Sequence, residues 1–168
     1  MRYGLIIVIF FALANQASTS PRLPDFMTSD ELQEAQKAYR NLLKSDGCDA
    51  ALPSIEKFAD RAALTLEVIT PSLLPFVHAE GNSPQTQAIN RDRELNLAIA
   101  AAEKLIHKVN KARNGALVDK AECLHQLDRN AESIATLITA LDNISALEKT
   151  SWQRARRLLG QIIGWNIE

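Results

Sequence analysis

The chain has 168 residues, 46% hydrophobic and 23% charged, with a formal net charge of −1. That length sets an expectation of one domain around one core, and the near-neutral balance excludes a mainly electrostatic nucleic-acid binder, which needs a broad Lys/Arg surface. Aromatics make up only 5%, while Ala, Leu and Ile are plentiful, a mixture that favours helices over strands.

The N-terminal stretch MRYGLIIVIFFALA carries Arg2 ahead of an apolar run from Leu5 to Leu13, with the small-x-small cleavage pattern Ala12-Leu13-Ala14. This is the pattern of a cleaved secretory signal. The run falls short of the roughly 20 residues a spanning helix needs, which weighs against an uncleaved anchor. The expected organisation is a signal peptide over 1–14 cleaved near Ala14, a flexible leader over 15–27 through Pro21 and Pro24, and a single all-α domain over 28–168. No Cys follows the apolar run, so no lipid-attachment site is expected. The periplasm is the first location this implies and the extracellular space the second.

Thr28 with Glu31 reads as a capping box, and Leu32, Ala35, Tyr39, Leu42 and Leu43 follow at helical spacing until Gly47 ends the helix. A second helix opens near Asp49 and tolerates Pro53 in its first turn. Its stripe is Leu52, Ile55, Phe58/Ala59, Ala62, Leu66 and Ile69, and it stops before Pro71. Residues 70–84, TPSLLPFVHAEGNSP, read as a non-regular segment whose Leu73, Leu74, Phe76 and Val77 tuck against the core. Ser83 and Pro84 restart a helix as cap and first helical residue. Leu95, Ala98/Ile99, Ala102, Leu105/Ile106 and Val109 carry it to a stop at Asn114-Gly115.

From Ala116 the elements shorten: one helix to about Leu127, a turn DRN over 128–130, and a second helix to about Ile144. Ser145 and Glu148 form another capping box. The last helix carries Trp152, Ala155, Leu158/Leu159 and Ile162/Ile163, with Gly164 at its end. The total is about six helices joined mostly by short turns, which makes sequential helices antiparallel neighbours.

Catalytic signatures are missing from this pattern: there is no G-x-S-x-G, no H-E-x-x-H and no phosphate-cradling glycine loop. His78, His107 and His125 are isolated. Cys123 and His125 stand two apart, about 200° around a helix, so neither a metal site nor a cofactor is read there. Asp30, Glu31 and Glu34 cluster at a helix start, where the dipole favours negative charge, rather than as an acid/base pair. Cys48 and Cys123 permit one disulfide in an oxidising compartment, two free thiols being the alternative. Arg154 and Arg157, at i and i+3, flank the apolar stripe as a solvated face or as readers of an anionic partner. Trp152 reads as core or, if exposed beside these bases, as an anchor.

In AECLHQLDRNAESIATLITAL, residues 121–141, Ala121 and Leu124 precede a short turn and Ser133, Leu137 and Ala140 follow it. This segment resembles a tetratricopeptide repeat, a helix-turn-helix unit of about 34 residues whose small side chains let two helices meet and the next unit stack on both. Ala155 and Leu158 stand one period further on, so the last helix looks like the first half of a following unit. Tyr39, Leu42, Ala51, Ile55 and Phe58 fit the spacing with KSDGCDAAL as the turn, although Tyr39 and Phe58 are bulky where the pattern prefers small residues. Residues 66–113 depart from it.

The resemblance implies an all-α fold of antiparallel helical hairpins stacked as a short solenoid, a single α-helical bundle being the alternative. It also implies a groove lined by the first helix of each unit. By spacing, Val118, Glu122, His125 and Gln126 would face it, with Lys149, Trp152 and Arg156 from the last helix and Gln36, Arg40 and Leu43 from the first. The functional expectation is a non-enzymatic periplasmic or secreted adaptor that binds another protein or peptide. It takes no cofactor and no nucleic acid, and its mature form has no stable membrane span. The alternative is a secreted helical-bundle inhibitor or immunity-type protein that blocks a partner enzyme through residues 70–84.

Overall fold

The computed structural model describes residues 26–77, 92–145 and 147–165. Among them are five helices and no strand: α1 (Ser29–Ser45), α2 (Gly47–Val77), α3 (Arg93–Gln126), α4 (Asn130–Asn143) and α5 (Lys149–Ile163). The fold is all-α. The signal peptide expected over 1–14, most of the leader, His78 and the helix restart at Ser83-Pro84 lie outside the described residues.

The start of α1 follows from its sequence. Thr28 Oγ1 accepts from the Glu31 N–H at 3.4 Å, while the Glu31 carboxylate accepts from the Thr28 N–H at 2.8 Å. That backbone N–H, with the Thr28 hydroxyl, holds the Glu31 carboxyl below the usual glutamate range. Met27, on the far side of the cap, is fully buried with Leu32 in one cluster, a hydrophobic staple. Its N–H donates to Thr65 Oγ1 on α2 at 2.8 Å, so the domain already includes Met27, which the leader was expected to contain.

Gly47 turns α1 into α2 with φ +82°, a left-handed conformation that glycine adopts without a Cβ clash. The second helix then continues through Pro71 to Val77, so residues 70–77 are helical and not the non-regular segment expected. A proline inside a helix costs about 3 kcal/mol in lost bonding and ring clash. Next to it Leu73 is buried, and the Ser72 hydroxyl donates to the Ile69 carbonyl at 2.6 Å. Leu74 points outward, against expectation.

Asp92 caps α3 by accepting from the N–H groups of Glu94 and Leu95. The helix then passes straight through Asn114-Gly115, where the sequence suggested a stop, so two expected helices are one. Tertiary packing is the cause. Asn114 is buried and its Nδ2 donates to the Asn143 carbonyl at the end of α4 at 3.0 Å and to Glu148 at 3.1 Å. At Gly115 a Cβ would stand 3.8 Å from the Arg40 guanidinium, an ordinary contact distance.

At the end of α3 the chain reverses through Asp128, whose φ is +59°. The small-residue rhythm then has a direct structural meaning. Ala121, Leu124, Ser133, Leu137 and Ala140 are all fully buried, and the two helices approach closely enough for Ser133 Oγ to donate to the Ala121 carbonyl at 2.8 Å. Only one leg of the expected Ser145/Glu148 capping box forms, from the Ser145 N–H to the Glu148 carboxylate; the Glu148 N–H donates to the Ser145 carbonyl instead of its hydroxyl. Gly164 closes α5 with φ +73°, and the Trp165 N–H returns to the Gly160 carbonyl in a Schellman-type bond.

Packing runs between near neighbours. The helices α1, α2 and α3 pack on one another, and so do α3, α4 and α5; among the described residues neither α1 nor α2 packs on α4 or α5. Two apolar clusters result, on opposite faces of α3. Val109, Ala112, Ala116 and Cys123 meet α1 and α2, whereas Val118 and Ala121 meet α4 and α5. Val118 is therefore core and not a groove residue. Cys48 and Cys123 form a disulfide that ties the first turn of α2 to α3, with their Cα atoms 4.9 Å apart.

Candidate functional site

The side of α3 between its two buried faces carries Asp119, Glu122 and Gln126, spaced three and four residues apart and so stacked on one stripe. Asp119 is nearly buried. An isolated carboxylate there would be costly, and three neighbours satisfy it. The Tyr39 hydroxyl donates to Oδ2 at 3.0 Å, Arg154 Nη2 donates to Oδ1 at 2.7 Å, and Arg40 Nε lies 3.8 Å away.

Arg154 binds two acids at once, since its fork also reaches Glu122 with Nε at 3.1 Å and Nη2 at 2.7 Å. Burial disfavours its charge, but the hydrogen bonds to Glu122 and Asp119 outweigh that and push its pKa above the ordinary arginine value. For Tyr39 burial dominates and the Asp119 charge adds to it, pushing the phenol up to about 12. The network clamps α1, α3 and α5 together on one side of the molecule.

Two depressions adjoin this clamp. One, of about 260 Å³, is lined by Glu122, His125 and Gln126 from α3 and by Arg154, Arg157, Leu158 and Gln161 from α5. The other, of about 200 Å³, runs from Leu43, Gly47 and Cys48 across Asp119 to the same Glu122 and Gln126. The Gln126 amide lies 3.2 Å from Cys48 Sγ, so the disulfide forms part of the floor. His125 Nδ1 lies 2.7 Å from Asn130 Oδ1. An amide oxygen only accepts, so a hydrogen bond at this contact takes Nδ1–H as its donor.

The structure brings Glu122, His125 and Gln126 into one cleft and sets Arg40 beside it on Asp119. Trp152 and Arg156 lie apart, in a third depression of about 250 Å³ with Gln153 and Arg157. Trp152 is 39% exposed, so it is a surface residue and not core. Lys149 and Gln36 line none of the three. The sequence reading missed Asp119, the hub of the clamp, and set Arg154 on a solvated face or against an anionic partner, whereas its fork meets Asp119 and Glu122 of the same chain. The available signal was a single acid three residues before Glu122 within an otherwise buried run.

Among the described residues no group of three or more His, Cys, Asp and Glu could hold a metal ion. No helix among them is long and apolar enough to cross a membrane. Comparison of the chain with protein-family models, curated proteins and solved structures finds no match.

Proposed function

We propose that this chain is a non-enzymatic adaptor of the periplasm or extracellular space, built as a short tetratricopeptide-like stack of helical hairpins, that holds a segment of another protein in the cleft between α3 and α5. The observation that carries this reading is the packing order: each layer touches only the next, as a stack does, whereas a bundle would bring all helices onto one axis. The hydrogen bond from Ser133 to Ala121 and the full burial of Ala140 and Ala155 support the same repeat spacing. The Cys48–Cys123 disulfide supports an oxidising location.

Recognition without turnover suits the cleft. Its Arg154 is already satisfied by protein carboxylates, while His125, Gln126, Gln161 and Leu158 offer a mixed polar and apolar lining. The test is affinity capture from envelope extract with the mature chain and with a double variant, His125→Ala and Gln126→Ala. A partner identified by mass spectrometry that is retained by the first and lost by the second is the expected result. Capture of the same set by both folded proteins, or of nothing by either, overturns the proposal.

A further inference from the structure

The surface of α5 differs from the rest of this near-neutral chain. Its 15 residues carry Lys149, Arg154, Arg156 and Arg157 and no acid. Arg154 is consumed by Asp119 and Glu122, and Glu148, just ahead of the helix, is turned toward Asn114. Arg157 has no hydrogen-bond or ion-pair partner among the described residues, yet it lines both the cleft at His125 and the depression at Trp152. The Arg156 guanidinium stacks over the Trp152 ring at 5.0 Å and holds that ring at the surface.

Apolar groups continue along the same edge. Ile163 stands 11 residues after Trp152, about 20° from it around the helix, and is half exposed; Trp165 just beyond is 63% exposed. A band with aromatic and aliphatic groups on one flank and unpaired guanidiniums beside it matches one kind of visitor: an amphipathic helix with an acidic polar face. The depression at Trp152, about 250 Å³, is below the roughly 300 Å³ at which small-molecule cavities begin. It has room for a protruding side chain, not a cofactor.

We infer that the exposed edge of α5, from Trp152 to Ile163, is the docking surface for an acidic amphipathic segment of the partner, whose apolar side covers Trp152 and Ile163 and whose carboxylates meet Arg156 and Arg157. This rests on the adaptor reading and names its partner's chemistry. A second copy of the chain is the poorer occupant. A two-fold interface uses the same patch on both copies, and α5 carries no acid, so a second copy brings no α5 carboxylate to Arg156 and Arg157.

The experiment is fluorescence anisotropy with two labelled helical peptides, each with leucine on one face, the other face glutamate in one and lysine in the second. The glutamate peptide is expected to bind and the lysine peptide not to, with binding weakened by added salt. The double variant Arg156→Glu, Arg157→Glu should weaken the glutamate peptide by about tenfold and admit the lysine peptide. If that variant loses its melting transition, Arg157→Gln makes the same comparison at about threefold. Equal binding of both peptides, indifference to the arginine variants, or a concentration-dependent dimer that Trp152→Ala abolishes each overturns the inference. Envelope capture that still depends on His125 and Gln126 would then leave the adaptor reading standing and remove only the acidic partner.

Discussion

The two layers that sandwich α3 are held by different means. On the α1–α2 side large groups are set among small ones: Tyr39 and Phe58 lie with ring centroids 5.1 Å apart, Met27, Leu32 and Ile55 share their cluster with Ala51, Ala59, Ala62, Ala112 and Ala116, and a disulfide crosses to α3. On the α4–α5 side the contacts are small: Ala121, Ser133, Ala140 and Ala155 surround Leu137 and Leu158, and the backbones come close enough for a hydroxyl to bridge them. The comparison teaches that close approach of helices is written in local spacing, whereas a layer built on bulk and cross-links depends on partners far away in sequence.

The sharpest way to break the comparison is to remove the cross-link. Replacing Cys48 and Cys123 by Ser opens a loop whose ends are 75 residues apart, and the chain-entropy model puts the loss at about 4 kcal/mol. Thermal melts measure the total. Hydrogen exchange locates it: amides of α1 and α2 should lose more protection than those of α4, because α2 and α4 do not touch. Equal loss in both layers would mean that the molecule melts as a single bundle.

The second break is aimed at the small-residue layer. Ala121→Leu forces extra carbons between α3 and α4 at a site with no exposed surface, and overpacking of that kind costs about 3 kcal/mol. Ala35→Leu, on the half-buried edge of α1 beside an open depression, should cost less than about 0.5 kcal/mol. Similar denaturant midpoints for the two variants would remove the argument from side-chain size.

These contrasts explain what the sequence made legible. The rhythm from Ala121 to Ala155 acts within one period, through residues whose smallness is itself the signal, and the structure buries every one of them. The caps at Thr28 and Gly164 are equally local and equally readable. Pro71 and Asn114-Gly115 both argue locally for a break, and at Asn114 distant groups outweigh that propensity. Asn114 is held by Asn143 and Glu148, neither of which a scan along the helix can see. The same applies to the candidate site. His125 and Gln126 share a helix face with Glu122 by spacing, whereas Asp119 becomes a hub only when Tyr39, 80 residues away, reaches it.

That hub couples the two layers, so Arg154→Ala should weaken both. It leaves Asp119 buried with Tyr39 and the more distant Arg40. Breaking a fully buried pair costs 3–5 kcal/mol, and because the Arg154 side chain is 36% exposed the expected loss is about 2 kcal/mol. Exchange protection should fall in α1 as well as in α5. Loss confined to α5 would show that the clamp does not transmit between layers.

The smallest effect is also the most specific. Tyr39→Phe keeps the ring against Phe58 but removes the hydrogen bond to Asp119, at a cost of about 1 kcal/mol near neutral pH. Its signature lies at alkaline pH. The folded phenol is pushed up to about 12 from an ordinary value of 10.0, first by burial and then by the Asp119 charge. Between those values the unfolded chain has released the proton while the folded chain retains it, so unfolding releases a proton and stability falls as pH rises. Below that window both states are protonated and the contribution is complete. Denaturant melts across the window should show a steeper decline for the native chain than for Tyr39→Phe, in which no phenol remains at this site to titrate. Parallel declines would mean that the Tyr39 hydroxyl is open to water, and with it that Asp119 is not enclosed between the layers.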